Sequence, residues 1–510
     1  MSLLQTVDYA ALAPLLIVCG AALVVLVVDL FLPLQRRPAG MWIAVAGALV
    51  SLTASLAVGP GERRTFCTPA TTLPGGVRAG VSCSYAVDHF TVLLTVLSCA
   101  AAVICLLLSF ATVGDDGLPA GEYAFLLLCS LAGMVTMAGA RDLITIVIAL
   151  EVLTLPLYLL TGLRRSDPRS AEAALKFFLV SVLSGAVTLF GVSLVYGLTG
   201  AVHLDRVAAA LGRRDDLRAL PLTGAAVLLV LVGFAFKISA VPFHSWAPDT
   251  YQGAPVPVAA FVSTASKAAG FAGLLLVVGI AFRPYAGAWG PVVAVLAGLS
   301  MTVGNLVALR QRHLVRLLAW SSVAQGGYIL APLGVAAGAV GRSDADLRRA
   351  GAAALAYLTL YVAMNLGAFS CVAWVSRRRP RNTIEDYQGL VRRSPVVAVA
   401  LTFFLLCLAG LPPGFAGLFA KVVVFRATLA GGAGLLALLM AVNTVIGLAY
   451  YLRVAAAVFA ASPAEVGEDR PVRRRSGPLF AALATCVIGT VLIGFAPQLA
   501  IHAGDLAGLP

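Results

Sequence analysis

From residue 10 onward the chain is a succession of apolar runs separated by short polar, proline-bearing or glycine-bearing stretches. The runs fall at 10–31, 41–59, 89–113, 122–140, 142–162, 173–199, 222–247, 254–281, 287–309, 314–338, 348–374, 396–429, 431–455 and 478–500. Most have the length of about 17 to 25 residues that a helix needs to cross the hydrocarbon core of a bilayer. The pattern predicts an all-α polytopic membrane protein with about fourteen spans. Only Arg141 and Asp142 divide the fourth run from the fifth. The longest connections, 60–88 and 200–221, are polar and rich in Gly or Arg and read as loops. Residues 1–9 carry no basic segment and the first run ends without a cleavage-like site, so it reads as a retained helix.

Composition sharpens this. Hydrophobic residues make up 60% of the chain and charged residues 12%, far less charge than a soluble protein carries. A net charge of +13 would suggest a nucleic-acid partner in a soluble protein. Here the arginines sit in short runs between spans and no basic domain stands apart, so the implied partner is the lipid surface and not nucleic acid. The clusters Arg36-Arg37, Arg164-Arg165-Arg169, Arg310-Arg312-Arg316, Arg377 to Arg393 and Arg470 to Arg475 all fall on one side of the alternating spans. That side is read as cytoplasmic, which puts both termini outside. Cys67 and Cys83 share the polar loop between spans 2 and 3; a disulfide and a chance pair of loop cysteines are both open. There is no phosphate-binding glycine loop, no metal-spaced Cys or His cluster and no Ser-His-Asp context, so nucleotide, flavin or iron–sulfur chemistry is expected on other chains.

The chain has 32 arginines and four lysines: Lys176, Lys237, Lys267 and Lys421. All four lysines fall inside apolar runs. A lysine at the centre of a span costs roughly 2.5–3.5 kcal/mol, so the placement asks for a function. Arginine keeps its proton under all physiological conditions, whereas a desolvated ammonium can release and regain one. Lys176, one turn after Glu172, also fits a simple i,i+4 ion pair. Glu151 is the one carboxylate near the middle of a span and needs a cation or a proton; Lys237 and Lys176 are its candidate partners.

Two spans look broken. In the seventh, Pro242 follows Lys237 by five residues; in the twelfth, Pro412-Pro413 precedes Lys421 by eight. Proline removes a helical hydrogen bond, and the freed polar backbone is tolerated only against protein or a wet cavity. The two breaks are five spans apart and therefore oppositely oriented, which suggests inverted five-helix repeats at 122–281 (helices 4–8) and 287–455 (helices 9–13), flanked by 1–113 and 478–500. Ordinary kinks are the alternative. His244, after the first break, suits proton relay or an interfacial bond to Asp249 or Trp246. Ser321, Ser322, Gln325 and Tyr328 recur at helical spacing and fit either a file of waters or interhelical hydrogen bonding. His313 is a relay end or a surface residue.

The run KISAVPFHSWAPDTYQGAPVPVAAFVSTASKAAGF (237–271), with RHLVRLLAWSSVAQGGY (312–328) and LAGLPPGFAGLFAKVVVF (408–425), resembles the proton-translocating membrane subunits shared by respiratory complex I and the Mrp-type cation/proton antiporters. Lysine at position 421, NTIEDYQGL at 382–390 and the absence of a long C-terminal lateral helix resemble the N-type branch of that family. The resemblance implies that Glu151 is the helix 5 glutamate, Lys237 the helix 7 lysine of a first half-channel, Lys267 a connecting lysine and Lys421 the lysine of the exit half. It implies Lys176 as a helix 6 lysine. It further implies a translocase subunit in a bacterial cell membrane, binding no cofactor itself. Neighbouring antiporter-like and small membrane subunits would surround it, and partner subunits would use NADH, FMN, iron–sulfur clusters and quinone. Where relatives often carry a Lys-Arg pair at the entrance to helix 10, this chain has Val315-Arg316, with Trp320 as the following aromatic. Alternatives are an antiporter subunit and a passive structural subunit.

Overall fold

The computed structural model describes residues 7–33, 39–59, 61, 63–164, 167–461 and 476–508. Arg36-Arg37, Arg165 and the cluster Arg470 to Arg475 lie outside these residues. The chain begins with α1 (Tyr9–Phe31) and α2 (Gly40–Val58), then four strands, β1 (Arg63–Thr68), β2 (Thr71–Leu73), β3 (Val77–Ala79) and β4 (Ser82–Val87). Next come α3 (His89–Asp116), α4 (Ala120–Gly139), α5 (Leu143–Thr161), α6 (Pro168–Thr199), α7 (Leu204–Arg213), α8 (Asp215–Ala219), α9 (Pro221–Lys237) and α10 (Trp246–Gly253). A continuous rod follows, made of α11 (Val256–Phe261), a π-helical turn (Val262–Ser266), α12 (Lys267–Leu276) and a second π-helical turn (Val277–Ala281). The remainder is α13 (Ala286–Ala308), α14 (Leu314–Leu330), α15 (Asp344–Ser376), α16 (Leu390–Arg393), α17 (Pro395–Ala409), α18 (Phe415–Ala430), α19 (Gly434–Phe459), α20 (Gly477–Phe495) and α21 (Gln498–Ala507).

Eleven of the described helical stretches are long and apolar enough to cross a membrane. The other runs read as spans are those built in pieces: α9 with α10, α14 continuing into a 3-10 segment at Ala331–Ala337, and α17 with α18. Because every spanning helix is apolar all round, hydrophobicity alone does not choose the inner helices; small side chains do. The rod, rich in Ala, Ser and Gly from Ala259 to Gly273, is buried over almost its whole length, and α15 over most of its own. Branched and aromatic residues such as Leu23 and Leu30 on α1, Leu183 and Phe190 on α6 and Val445 on α19 face outward.

The connection at 60–88, read from sequence as loop, instead folds as two small antiparallel sheets, β1 with β4 and β2 with β3. Its alternation is real but short: Thr65 and its partner Tyr85 are buried together with Val87, and arginines and glycines around them mask the period. Cys67 lies opposite Cys83 in the β1–β4 ladder, and a disulfide joins the two. The 200–221 connection likewise holds the amphipathic α7, which buries Leu204, Val207, Ala210 and Leu211. Arg206 of α7 is buried because Ser82 Oγ and the carbonyls of Thr68, Pro69 and Gly80 accept its hydrogens. The last predicted run stops early, α20 ending at Phe495 before Pro497, with α21 behind it.

The connections gather at two polar faces. On one, Asp8 pairs with Arg63, and Arg63, Arg64, Asp88, Arg141 and Asp505 line a hollow of about 540 Å³, so the two ends of the described chain share this face. Burial pushes the Asp88 carboxyl up, but Arg141 at 2.5 Å and the Thr91 N–H and hydroxyl hold it below the usual carboxylate range. On the other face Arg164 pairs with Asp116 and Arg377 with Asp115 at the end of α3. Asp249 there takes both Lys176 and Arg316.

Candidate functional site

The first break begins directly after Lys237, the last residue of α9. Ser239 takes a positive φ of 59°, the peptide before Pro242 is cis, and helix resumes at Trp246. The polar backbone freed here is met by protein: Val241 N–H donates to Ser300 Oγ of α13, and Phe236 C=O accepts from Trp246 Nε1. Lys237 is 2% exposed. Its Nζ donates to Thr154 Oγ1 of α5 at 2.7 Å and lies 5.9 Å from the centre of the Phe177 ring. Glu151, one turn before Thr154, is half-buried, with its Oε1 against Gly185 of α6. Neither candidate partner forms an ion pair with Glu151 within 4.0 Å among the described residues; Lys176 pairs with Glu172 and Asp249 instead.

Lys267 is 1% exposed and opens α12 immediately after the first π-helical turn. Such turns widen the helix and turn side chains off the regular face. Its Nζ donates to both the carbonyl and the hydroxyl of Ser322 on α14, each at 2.7 Å. The same hydroxyl accepts from Tyr361 of α15 at 2.8 Å, and Asn365 donates to Tyr361 and Ser263. One turn further along α14, Gln325 donates to Leu408 C=O and to Tyr451 OH and accepts from Tyr357. Ser321 meets Tyr451 at 2.5 Å, and Tyr328 is joined through Asn305 to Tyr450 and Asn443.

At the second break, α17 ends at Ala409, Gly410 adopts φ 82°, and the Pro412-Pro413 peptide is cis. Lys421 Nζ reaches back to Ala409 C=O at 2.5 Å and sits 5.3 Å from the centre of the Tyr328 ring. Gln325 and Lys421 therefore hold two consecutive carbonyls at the end of α17. Glycine is needed at 410 twice over: for its positive φ and because a Cβ there would lie 2.9 Å from Lys421 Cδ.

Other sequence candidates lie apart. Lys176 is well exposed at the polar face and ion-paired. His244 bonds to neither Asp249 nor Trp246 through a side chain; its Nδ1 is buried without a partner beside the Trp320 ring, 5.2 Å between centres. His313 precedes α14 and its Nδ1 meets Arg381 C=O at 3.1 Å. Sequence reasoning missed Thr154, Tyr357, Tyr361, Asn365, Asn305, Asn443, Tyr450 and Tyr451. Their signal was polarity inside apolar runs, which serine, threonine and tyrosine show too often to stand out.

A family model described as NADH:quinone oxidoreductase/Mrp antiporter, TM, matches residues 140–447. NADH-quinone oxidoreductase subunit N 2 of Streptomyces griseus is 47% identical over 99% of this chain and 95% of its own length. Subunit N of Salinispora tropica is 46% identical over 99% and 100%. A chain of respiratory complex I from Thermus thermophilus superposes with a TM-score of 0.75 at 29% identity, covering 96% of this chain and 98% of that one. A chain of the Mrp complex of Dietzia reaches 0.81 at 22% identity over 98% and 97%, a likeness of fold. The chain belongs to the NADH:quinone oxidoreductase/Mrp antiporter family. It is a proton-translocating, multi-pass membrane subunit of a translocase-type respiratory complex, and its sequence sides with the N subunits.

Proposed function

We propose that Glu151, Lys237, Lys267 and Lys421 form the proton path of this subunit, driven by NADH-to-quinone electron transfer in partner chains. One observation carries the reading. Each of the three span-interior lysines has its Nζ on a neutral hydroxyl or carbonyl oxygen, and none has an ion pair within 4.0 Å among the described residues. An amine with no fixed counter-ion can exist in both protonation states at modest cost, as a carrier must. Rearrangement in neighbouring subunits would alter the field of Glu151 on Lys237 and send a proton along Lys267 and Lys421. Moving one charge against 100 mV takes about 2.3 kcal/mol. The polar groups of Ser322, Gln325 and the α17 carbonyls span the stretch between Lys267 and Lys421. With the three interrupted spans added, the count is about fourteen, and the two breaks support inverted repeats at 122–281 and 287–455. Replacing Glu151 by Gln, which keeps the shape and removes the charge, is expected to lower proton pumping at least fivefold in assembled complex. Vesicle acidification during NADH oxidation measures it; pumping unchanged would remove Glu151 from the path.

The disulfide-bearing face is read as outside and the Arg164, Arg316 and Arg377 face as cytoplasmic. Alkaline phosphatase fused after Pro510 is then expected to be active and green fluorescent protein at the same point dark. The reverse pattern would invert the topology.

A further inference from the structure

Between α5, α6 and α9 lies a cavity of about 20 Å³, lined among others by Glu151, Thr154, Ser181, Ser184, Gly185 and Lys237. That is room for about one water, which needs roughly 10–15 Å³ and two to four polar partners. Thr154 fixes the polarity of its end. Its hydroxyl donates its single proton to Leu150 C=O at 2.5 Å, so toward Lys237 the oxygen acts only as an acceptor. Gly185 fixes the other end: a Cβ there would lie 2.7 Å from Glu151 Oε1, so the carboxylate occupies space that any other residue would fill. The acid and the amine are therefore each seated separately, one against a bare patch of α6 and the other on a hydroxyl of α5.

Resting on the reading of Lys237 as a proton carrier, we propose that Thr154 is a positioning residue that docks the Lys237 ammonium off Glu151. A single water in the Ser181, Ser184 and Thr188 pocket then bridges the two. The hydroxyl accepts a charge-assisted hydrogen bond from the protonated amine; once the proton has left, the free amine can donate to it only through a weaker neutral bond, and the hydroxyl's own proton, committed to Leu150, cannot turn round to meet the lone pair. Docking is thus coupled to protonation, and Glu151 acts on the amine across the water without locking it in an ion pair.

The test uses the whole complex in native membranes, with assembly read on native gels and proton pumping measured beside NADH:quinone electron transfer. Thr154→Val keeps the shape and removes the acceptor; Thr154→Ser keeps the acceptor. Pumping is expected to fall about tenfold in Thr154→Val, the scale of a lost hydrogen bond to a charged group, and to stay within about twofold in Thr154→Ser. In a Glu151→Gln background, Thr154→Val is expected to add little, because both act through the same amine. Assembled Thr154→Val complex that pumps like wild type overturns the proposal, as does a valine defect that adds in full to that of Glu151→Gln. If Thr154→Val does not assemble, Thr154→Ala carries the test: it too removes the acceptor and is expected to lower pumping in assembled complex, and wild-type pumping there overturns the proposal. Lys237→Ala run in parallel separates the two readings: if it pumps normally, the proton path itself fails, whereas if only the Thr154 variants do, the path stands and the docking does not.

Discussion

Lys237→Ala is expected to assemble into the complex and to pump protons at less than about a tenth of the wild-type rate, a barrier increase of more than about 1.4 kcal/mol. Electron transfer should fall in step, because a coupled machine cannot turn over freely while one of its carriers is missing. Assembly should survive because the ammonium is a liability to the fold. It is buried, and its one hydrogen-bond acceptor is the neutral Thr154 hydroxyl. Truncation leaves no orphaned charge of opposite sign at hydrogen-bond distance, since among the described residues no Glu151 ion pair within 4.0 Å is present to be broken. A structural role for the lysine would make the opposite pairing, with the complex lost on native gels and pumping lost only along with it. Full pumping in assembled complex would take Lys237 off the path.

How much of this was legible in the sequence follows from what each signal was made of. The spans were plain because hydrophobicity over about 20 residues is a summed quantity that single polar residues hardly disturb. Lys237, Lys267 and Lys421 stood out because a cation inside such a run is expensive. Lys176 is different, since it lies near the start of its run, and the i,i+4 pair with Glu172 that its place allows is formed, with Asp249 also in reach. The first break was located at Pro242, whereas α9 already ends at Lys237. Proline marks where helix cannot continue, not where hydrogen bonding first fails. The hairpin at 63–87 was lost because strands of three to six residues give too few alternations against arginine and glycine. The partners of the lysines, above all Thr154, Tyr361 and Tyr451, were beyond reach because they depend on which helices meet. For Glu151, expected to hold either a proton or a cation, the two candidate lysines are taken by others, Lys237 by the neighbouring Thr154 and Lys176 by Glu172 and Asp249.

A second large effect is expected from Lys421→Arg, and it separates charge from proton transfer. Everything structural about Lys421 is available to a guanidinium. It keeps a positive charge, it can donate to Ala409 C=O, and it interacts at least as well with the face of Tyr328. Lys421 is itself only partly buried, which gives the larger head group an outlet. What arginine cannot do is give up its proton and take another, because it stays charged at every pH the enzyme meets. If Lys421 only ties the two halves of the broken helix together, the variant should therefore assemble and pump at more than half the wild-type rate. If it is the exit carrier, the variant should assemble equally well and pump at less than about a tenth of it, again more than about 1.4 kcal/mol of barrier. We expect the second outcome, read as the initial rate of vesicle acidification normalised to the amount of assembled complex. Its meaning is unusually direct because the substitution preserves the charge and the donor groups and removes only the exchangeable proton.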